Sequence, residues 1–503
     1  MEDLGNDRWI DPLAFELAVS KTLFKKQCST YLTKGIAAKQ APFIAMRKKI
    51  TDDPTCIPVI DQLFKVLKET ETTLTQAMEK PEEWEAESSS QLVFTQEWSK
   101  PLNQIPILLP ATAIFKIYVF PFFAVILPLI AWILPFFIVR YFFKLPITLE
   151  HYIQMGTSMW LGGKVWKDID FWGQTRVLFQ TCWTAFGLFQ GILQPVQQAF
   201  HIKKIDDSIV ERGLLYQRFA QDAGQLFELC AIKAPYLTEW PLTEPRQLYA
   251  YVRDHPGDVK WIWGELARLE ISWRIARCQD LCFVSFRRAT GPYCLLRNFF
   301  DPSISAERRV TSSFMIKSGK SHCVITGPNK GGKSSVLRAL LLNIRLAQRF
   351  GVAFATSMNL RPFDWIESGL RLADQPGSQS LFERELSFAA KLLHKCADTT
   401  KVGLILYDEC FHSTNPPDGQ KTAELFLQNL WTHPNVGSAV STHVFSLLEK
   451  APSTVKKLCV PANQTPSGLV YQFSLVPGIC TVSSVEELYE KHKFPKTAGK
   501  QGI

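Results

Sequence analysis

Apolar positions along this chain change their spacing three times, and each change predicts a different kind of element. Residues 8–95 are mostly helix-compatible, with Glu82–Ser90 as a polar linker. Residues 205–285 read as helices again, including Ile209–Leu229 and Trp261–Leu281. Beyond residue 298 short uninterrupted apolar runs take over. His322–Ile325, Val402–Tyr407 and Gly437–His443 alternate with helical spacing such as Val336, Leu337, Leu340, Leu341 and Ile344 within Ser334–Arg349. Apolar runs of strand length separated by helices predict parallel strands buried on both faces, hence an α/β domain.

The third pattern is a run without any charge. Ile117–Val139 places 23 residues between Lys116 and Arg140, about 34 Å as a helix, which is enough for a hydrocarbon core. Tyr118, Trp132 and Tyr141, with Lys116, Arg140 and Lys144, supply the amphipathic flanks that membrane interfaces favour. Pro121, Pro128 and Pro135 fall seven apart, and each removes a backbone donor and kinks a helix. Three arrangements remain open: a single span, a re-entrant hairpin that keeps both flanks on one side, and a proline-broken pair of helices inside a soluble core. Val177–Phe200 is also apolar but carries five glutamines, and reads as an interfacial or buried helix.

The candidate chemistry lies in the α/β part. Thr326-Gly327-Pro328-Asn329-Lys330-Gly331-Gly332-Lys333-Ser334-Ser335 fits G-x-x-x-x-G-K-[ST], with a strand before it and a helix after it, the context a phosphate-binding loop requires. Glycines at 327, 331 and 332 let the backbone curl around phosphate. Pro328, Asn329 and Ser335 complete the nucleotide-binding set, Lys333 reaches the outer phosphates, and the Ser334 hydroxyl suits Mg²⁺. Val402–Tyr407 ends in Asp408-Glu409, two carboxylates at the C-terminal edge of a buried strand, where nucleotides bind in open α/β sheets. Asp408 suits the Mg²⁺ shell and Glu409 the attacking water. His443, at the end of a third apolar run, is placed to sense a γ-phosphate.

These segments resemble the ATPase domain of the MutS mismatch-repair family, itself related to ABC-type ATPases. The family's TGPN-x-GGK-S is kept around Lys330, where a methionine is usual, and Asp408 to Gly419 matches the length of its D-E to D-G segment. Inside that segment the family's Gly-Arg-Gly-Thr is replaced by Phe411-His412-Ser413-Thr414. Gly377–Glu385 resembles its signature loop, which implies that Ser380, with Glu385, serves the γ-phosphate held by a second subunit. Ser441–Phe445 resembles its histidine switch, and Tyr471–Pro495, with Gly478 and Ser483-Ser484, the region after it. Leu269–Phe299 fits more loosely the helical segment feeding the domain. The resemblance implies ATP and Mg²⁺ as cofactors, a homodimer through the ATPase domains, slow turnover with a conformational output, and nucleic acid as a partner by family alone. No Phe-x-Glu mismatch reader stands near the N-terminus, and the chain has no room for the separate recognition domain and clamp of full mismatch sensors.

Composition narrows the rest. Lys and Arg number 56 against 47 Asp and Glu, yet residues 1–100 carry 13 basic and 16 acidic side chains, so the basic surplus lies downstream. Lys203-Lys204, Arg287-Arg288, Arg308-Arg309, Lys456-Lys457 and the Lys491–Lys500 tail could meet nucleic-acid phosphate or anionic lipid, or be solvated surface. Twelve cysteines without a C-x-x-C pair argue against metal and disulfide frameworks and fit a reducing compartment. Met1-Glu2-Asp3-Leu4 lacks the basic-then-apolar opening of a cleavable signal peptide. The expectation is an α/β P-loop NTPase of ABC/MutS type at residues 298–503, with largely α-helical N-terminal (1–100) and middle (147–297) regions and a hydrophobic membrane segment at 101–146. The ATPase part would face the cytosol. Two alternatives carry a different output: an ABC-like membrane ATPase acting on lipid or protein, and an ATP-gated scaffold with little turnover.

Overall fold

The computed structural model of the protein describes residues 13–29, 36–79, 85, 91–161, 171–233, 235–370, 380–413, 415–443, 446–465 and 468–482. Several sequence readings lie partly outside them: the linker Glu82–Ser90 apart from Glu85, Gly377–Gln379, Thr414, Val444-Phe445, Ser483-Ser484 and the Lys491–Lys500 tail. The chain divides into two compact units, Met1–Val59 with Gly264–Ile503, and Ile60–Trp263.

In chain order the helices are α1 (Ala18–Ser29), α2 (Ile36–Asp52), α3 (Cys56–Glu79), α4 (Leu108–Ile114), α5 (Phe120–Phe137), α6 (Leu149–Leu161), α7 (Phe171–Leu229), α8 (Pro245–Asp254), α9 (Pro256–Arg277), α10 (Lys333–Phe350), α11 (Leu381–Cys396) and α12 (Pro416–Leu430). The strands begin with β1 (Leu281–Phe283), β2 (Ser285–Phe286), β3 (Cys294–Phe299), β4 (Ser312–Ile316), β5 (His322–Thr326), β6 (Val352–Phe354) and β7 (Ser357–Leu360). They continue with β8 (Trp365–Gly369), β9 (Gly403–Asp408), β10 (Val436–Ser441), β11 (Lys456–Cys459), β12 (Ala462–Thr465), β13 (Gly468–Tyr471) and β14 (Val476–Pro477).

The first unit is built on a six-stranded sheet in the order β14-β11-β5-β10-β9-β8, parallel except for β14 at its edge. Apolar runs form its central strands because both faces are covered. In β9, Leu404 and Leu406 face a core with Leu337, Leu340 and Ile344 of α10, while Ile405 and Tyr407 face a second core with Leu392 of α11 and Phe426 and Leu427 of α12. A second, four-stranded sheet has the order β2-β7-β3-β4.

This unit also takes in the start of the chain. Phe24 of α1 stacks on Phe350 of α10 at 5.0 Å. Glu270 of α9, fully buried, accepts hydrogen bonds from the backbone N–H of Glu16 (2.6 Å) and Leu17 (3.2 Å) and from the Ser20 hydroxyl, and burial raises its pKa. The Gln40 side-chain amide donates to the carbonyls of Val284 and Gly351 at 3.0 and 2.6 Å. A boundary at residue 298 therefore cuts through a packed unit, and α9 stops at Arg277, short of the expected Leu281, to give way to β1. Pairings between residues so distant in the chain leave no local periodicity to read.

The second unit is helical. Arg246 of α8 grips Asp206 of α7 with two hydrogen bonds of 2.7 Å, and Phe219 lies 4.8 Å from Trp263. Helices α7 and α8 meet at Gly213, where a Cβ would stand 2.0 Å from the Pro245 carbonyl oxygen. The uncharged run is helical throughout, with π-turns at Phe115–Val119 and Ile138–Phe142 bracketing α5. Wide turns of this kind absorb the register that proline disturbs. The reversal comes at residues 143–148, beyond the run and not inside it. Thereafter α6 folds back on α5: the Tyr152 hydroxyl donates to the Trp132 carbonyl at 2.8 Å, and its ring lies 5.4 Å from that of Phe136. Much of this apolar surface is exposed, including Phe122, Leu127, Leu134 and Phe142, and so are Trp172, Phe179 and Trp183 of α7. By length and composition, Leu108–Pro128 is enough to cross a membrane.

Candidate functional site

Strand register brings the expected groups to one edge. Ser441 at the end of β10 stands opposite Ile325 of β5 on one side and Asp408 of β9 on the other, and Cys459 of β11 stands opposite Thr326. Four parallel strands thus finish level, and the glycine loop and both acids leave from their C-terminal ends.

The loop's shape depends on its glycines. Gly327 has φ of 152°, and a Cβ there would meet the Val460 carbonyl oxygen at 2.6 Å. Gly332, at φ 101°, is the left-handed N-cap of α10. Pro328 and Gly331 are buried, Asn329 and Lys330 exposed at the tip, and Ser334 and Ser335 half-buried at the helix start. An N-terminus opened by such a loop presents unpaired N–H groups and the positive end of the helix dipole, a setting for anions.

Lys333 is only 4 % exposed. Its ammonium donates to the carbonyls of Gly327 (3.0 Å) and Pro328 (3.1 Å) and lies 3.8 Å from Glu409 Oε1. Burial lowers its pKa, and the charges of Glu409 and Asp408 oppose that shift. The His443 Nε2–H donates to Glu409 Oε1 at 2.8 Å, and this hydrogen bond, more than the Lys333 charge, holds the Glu409 carboxyl below its usual value against partial burial. A carboxylate kept ionised beside a buried ammonium and an imidazole can orient and deprotonate water. The Ser441 hydroxyl donates to Asp408 Oδ1 at 2.5 Å, and the Glu409 N–H donates to the Ser441 carbonyl (3.2 Å) and hydroxyl (3.0 Å).

Lys333, Glu409 and His443 are therefore joined by direct contacts, with Asp408 tied to Glu409 through Ser441. Ser441 was legible only as part of a polar strand end, and its bridging role follows from register. Ser380 is exposed and caps α11, its hydroxyl accepting from the Glu383 N–H at 3.2 Å, the Ser-x-x-Glu arrangement of a helix start. Glu385 lies elsewhere than expected for a group facing a second subunit. It is 1 % exposed and accepts a 2.5 Å hydrogen bond from Ser413 of its own chain, with His412 Nδ1 at 3.1 Å.

The donor set suits a magnesium-bound triphosphate: a glycine cradle that a Cβ would fill, one buried ammonium, and a carboxylate and hydroxyl at the same sheet edge. Among the described residues, no cluster of three or more His, Cys, Asp or Glu forms a self-sufficient metal site. Any ion held here would draw on its ligand's oxygens and water, as Mg²⁺ commonly does.

Residues 323–500 match the family model of MutS domain V. The DNA mismatch repair proteins MutS of two Thermus thermophilus strains are each 31% identical over 174 residues, 34% of this chain and 21% of theirs. That of Thermus caldophilus is 31% identical over 173 residues, with the same coverage. The chain spans about a fifth of the length of these curated relatives.

Proposed function

We propose that this chain, whose C-terminal third matches the α/β ATPase-like domain V of MutS, binds and hydrolyses ATP as a slow, dimeric conformational switch attached to a membrane. The contact chain Lys333–Glu409–His443 at the sheet edge carries this reading. The loop 327–335 would cradle the phosphates, and Ser334 and Asp408 would hold Mg²⁺. When bound, that ion would neutralise the charge developing on the phosphates. Glu409 orients the water and takes its proton, and His443 donates to the same carboxylate and fixes its direction. Lys333 moves from loop carbonyls to phosphate oxygens, trading neutral acceptors for charged ones. Ser380, exposed at the N-terminus of α11, is the group a second chain's γ-phosphate would meet, which makes nucleotide part of the dimer contact.

Membrane attachment is supported by the exposed apolar face of α5 and α7 in the second unit. ATP supply would then set the first unit on the cytosolic side. The relatives are DNA mismatch repair proteins, but the segment matched here is domain V alone, so DNA is the weaker of the two partner readings.

A direct ATP titration tests the core of the proposal: Lys333→Ala should abolish tight binding, and unchanged affinity would remove the loop from the site. Turnover measured with and without DNA and lipid vesicles then separates the outputs. Salt-sensitive stimulation by DNA favours nucleic acid; stimulation by vesicles, lost on deleting Ile117–Val139, favours lipid; binding without turnover leaves a scaffold.

A further inference from the structure

The loop after β9 is held in a shape its residues do not favour. Glu409 and Phe411 both have left-handed backbone, φ 52° and 59°, in which a side chain crowds the neighbouring carbonyl. Such strain persists only where the surroundings over-determine it.

Two sets of contacts do so here, and both reach the first turns of α11. On the apolar side Phe411, 3 % exposed, sets its ring edge-on between Phe382 of α11 (6.3 Å) and Phe426 of α12 (5.9 Å). On the polar side the buried Glu385 carboxylate accepts from Ser413 at 2.5 Å and faces His412 Nδ1 at 3.1 Å, while that nitrogen also lies 2.9 Å from the Glu409 carbonyl oxygen. Phe382 and Glu385 are three residues apart on one face of α11, directly after its cap Ser380.

We propose that Phe411, Ser413 and Glu385 form a clasp that positions Glu409 and makes it move as one body with Ser380. One chain's hydrolytic carboxylate would then be mechanically tied to the serine it offers to a second chain. The clasp rests on the roles given above to Glu409 and Ser380, and it adds a route by which a change at one nucleotide reaches the other. Phe411, Ser413 and Glu385 are positioning residues: they act through backbone and need not touch nucleotide.

The test uses the full chain with Phe411→Gly, Glu385→Gln, Ser413→Ala and Ser413→Thr. Hydrogen exchange is followed in peptides covering 380–396 and 408–413, beside steady-state kcat and KM for ATP. The clasp predicts that Phe411→Gly and Glu385→Gln speed exchange in both peptides together and lower kcat about tenfold or more, as misplaced catalytic groups do, with KM within about twofold. Ser413→Ala should follow them, and Ser413→Thr, which keeps the hydroxyl, should restore kcat. If Phe411→Gly fails to fold, the two Ser413 variants decide. Faster exchange in only one peptide, or kcat unchanged by Glu385→Gln and Ser413→Ala, overturns the clasp. A wild-type chain that hydrolyses no ATP would sink the proposed function, while the exchange data would still settle whether the two segments are joined.

Discussion

Residues 403–407 of strand β9 and helix α5 are both uncharged apolar runs, yet the fold uses them in opposite ways. Every residue from Gly403 to Tyr407 is buried between two helical layers, whereas Phe122, Leu127, Leu134 and Phe137 of α5 are exposed. Hydrophobicity alone therefore does not say where a segment goes. Covered on both faces, β9 can carry two acids at its end and hold them rigidly. Helix α5 instead leaves much of its apolar surface exposed.

Introducing charge should separate the two most strongly. Leu406→Asp buries a carboxylate without a partner and should cost about 4 kcal/mol or more, enough to unfold the first unit. Leu134→Asp, at an exposed site, should leave the thermal transition in detergent within about 1 kcal/mol and weaken binding to lipid vesicles. Equal losses of stability from the two substitutions, seen by calorimetry, would erase the contrast.

At the end of β9 the expected effect is chemical. Glu409→Gln keeps the shape but not the base, so turnover should fall by about 10²- to 10⁴-fold while ATP binding survives; single-turnover kinetics with a binding titration would check it. No change in rate would move the catalytic base elsewhere.

Next in size is a dependence on pH. His322 of β5 is buried, its Nε2–H donating to the His433 carbonyl (3.2 Å) and its Nδ1 accepting from Ser438 (2.9 Å), which fixes the neutral form, and burial lowers its pKa to about 4. The unfolded chain takes up this proton near pH 6.5 and the folded chain only near 4. The stabilisation is therefore complete above pH 6.5 and lost as pH falls to about 4, amounting to about 3 kcal/mol. Denaturant titrations across that window should show a steeper loss for the wild-type chain than for His322→Gln; parallel curves would refute it.

The smallest effect belongs to α11. Ser380→Ala should lower the stability of the first unit by about 1 kcal/mol through the lost cap, measurable by denaturation of the monomer. No loss would mean that the Ser380–Glu383 contact contributes nothing to the fold.

Local patterns made much of this legible. The glycine loop and helix α10 have the order and spacing that the sequence implies, as do β5, β9 and β10, because buried strands need uncut apolar runs and tight loops need glycine. Other features were hidden. Nothing near Ser20 signals its bond to Glu270, and nothing in Leu381–Cys396 distinguishes Glu385 as a residue turned inward rather than outward. The left-handed Phe411 defies local preference and exists because Phe382 and Phe426 surround it. The helical reversal at 143–148 follows a run in which proline suggested an earlier break.

The order of residues by itself determined which chemistry is available: a glycine loop before a helix, two acids after a strand, an imidazole after another, and a long uncharged apolar run. Tertiary structure decided which of these groups touch. Register at four strand ends joins Lys333, Glu409 and His443 and threads Asp408 through Ser441, because hydrogen bonding between strands makes neighbours of residues that are far apart in the chain. Packing decided the remainder, since the same apolar character is satisfied by protein around β9 and left unsatisfied on α5.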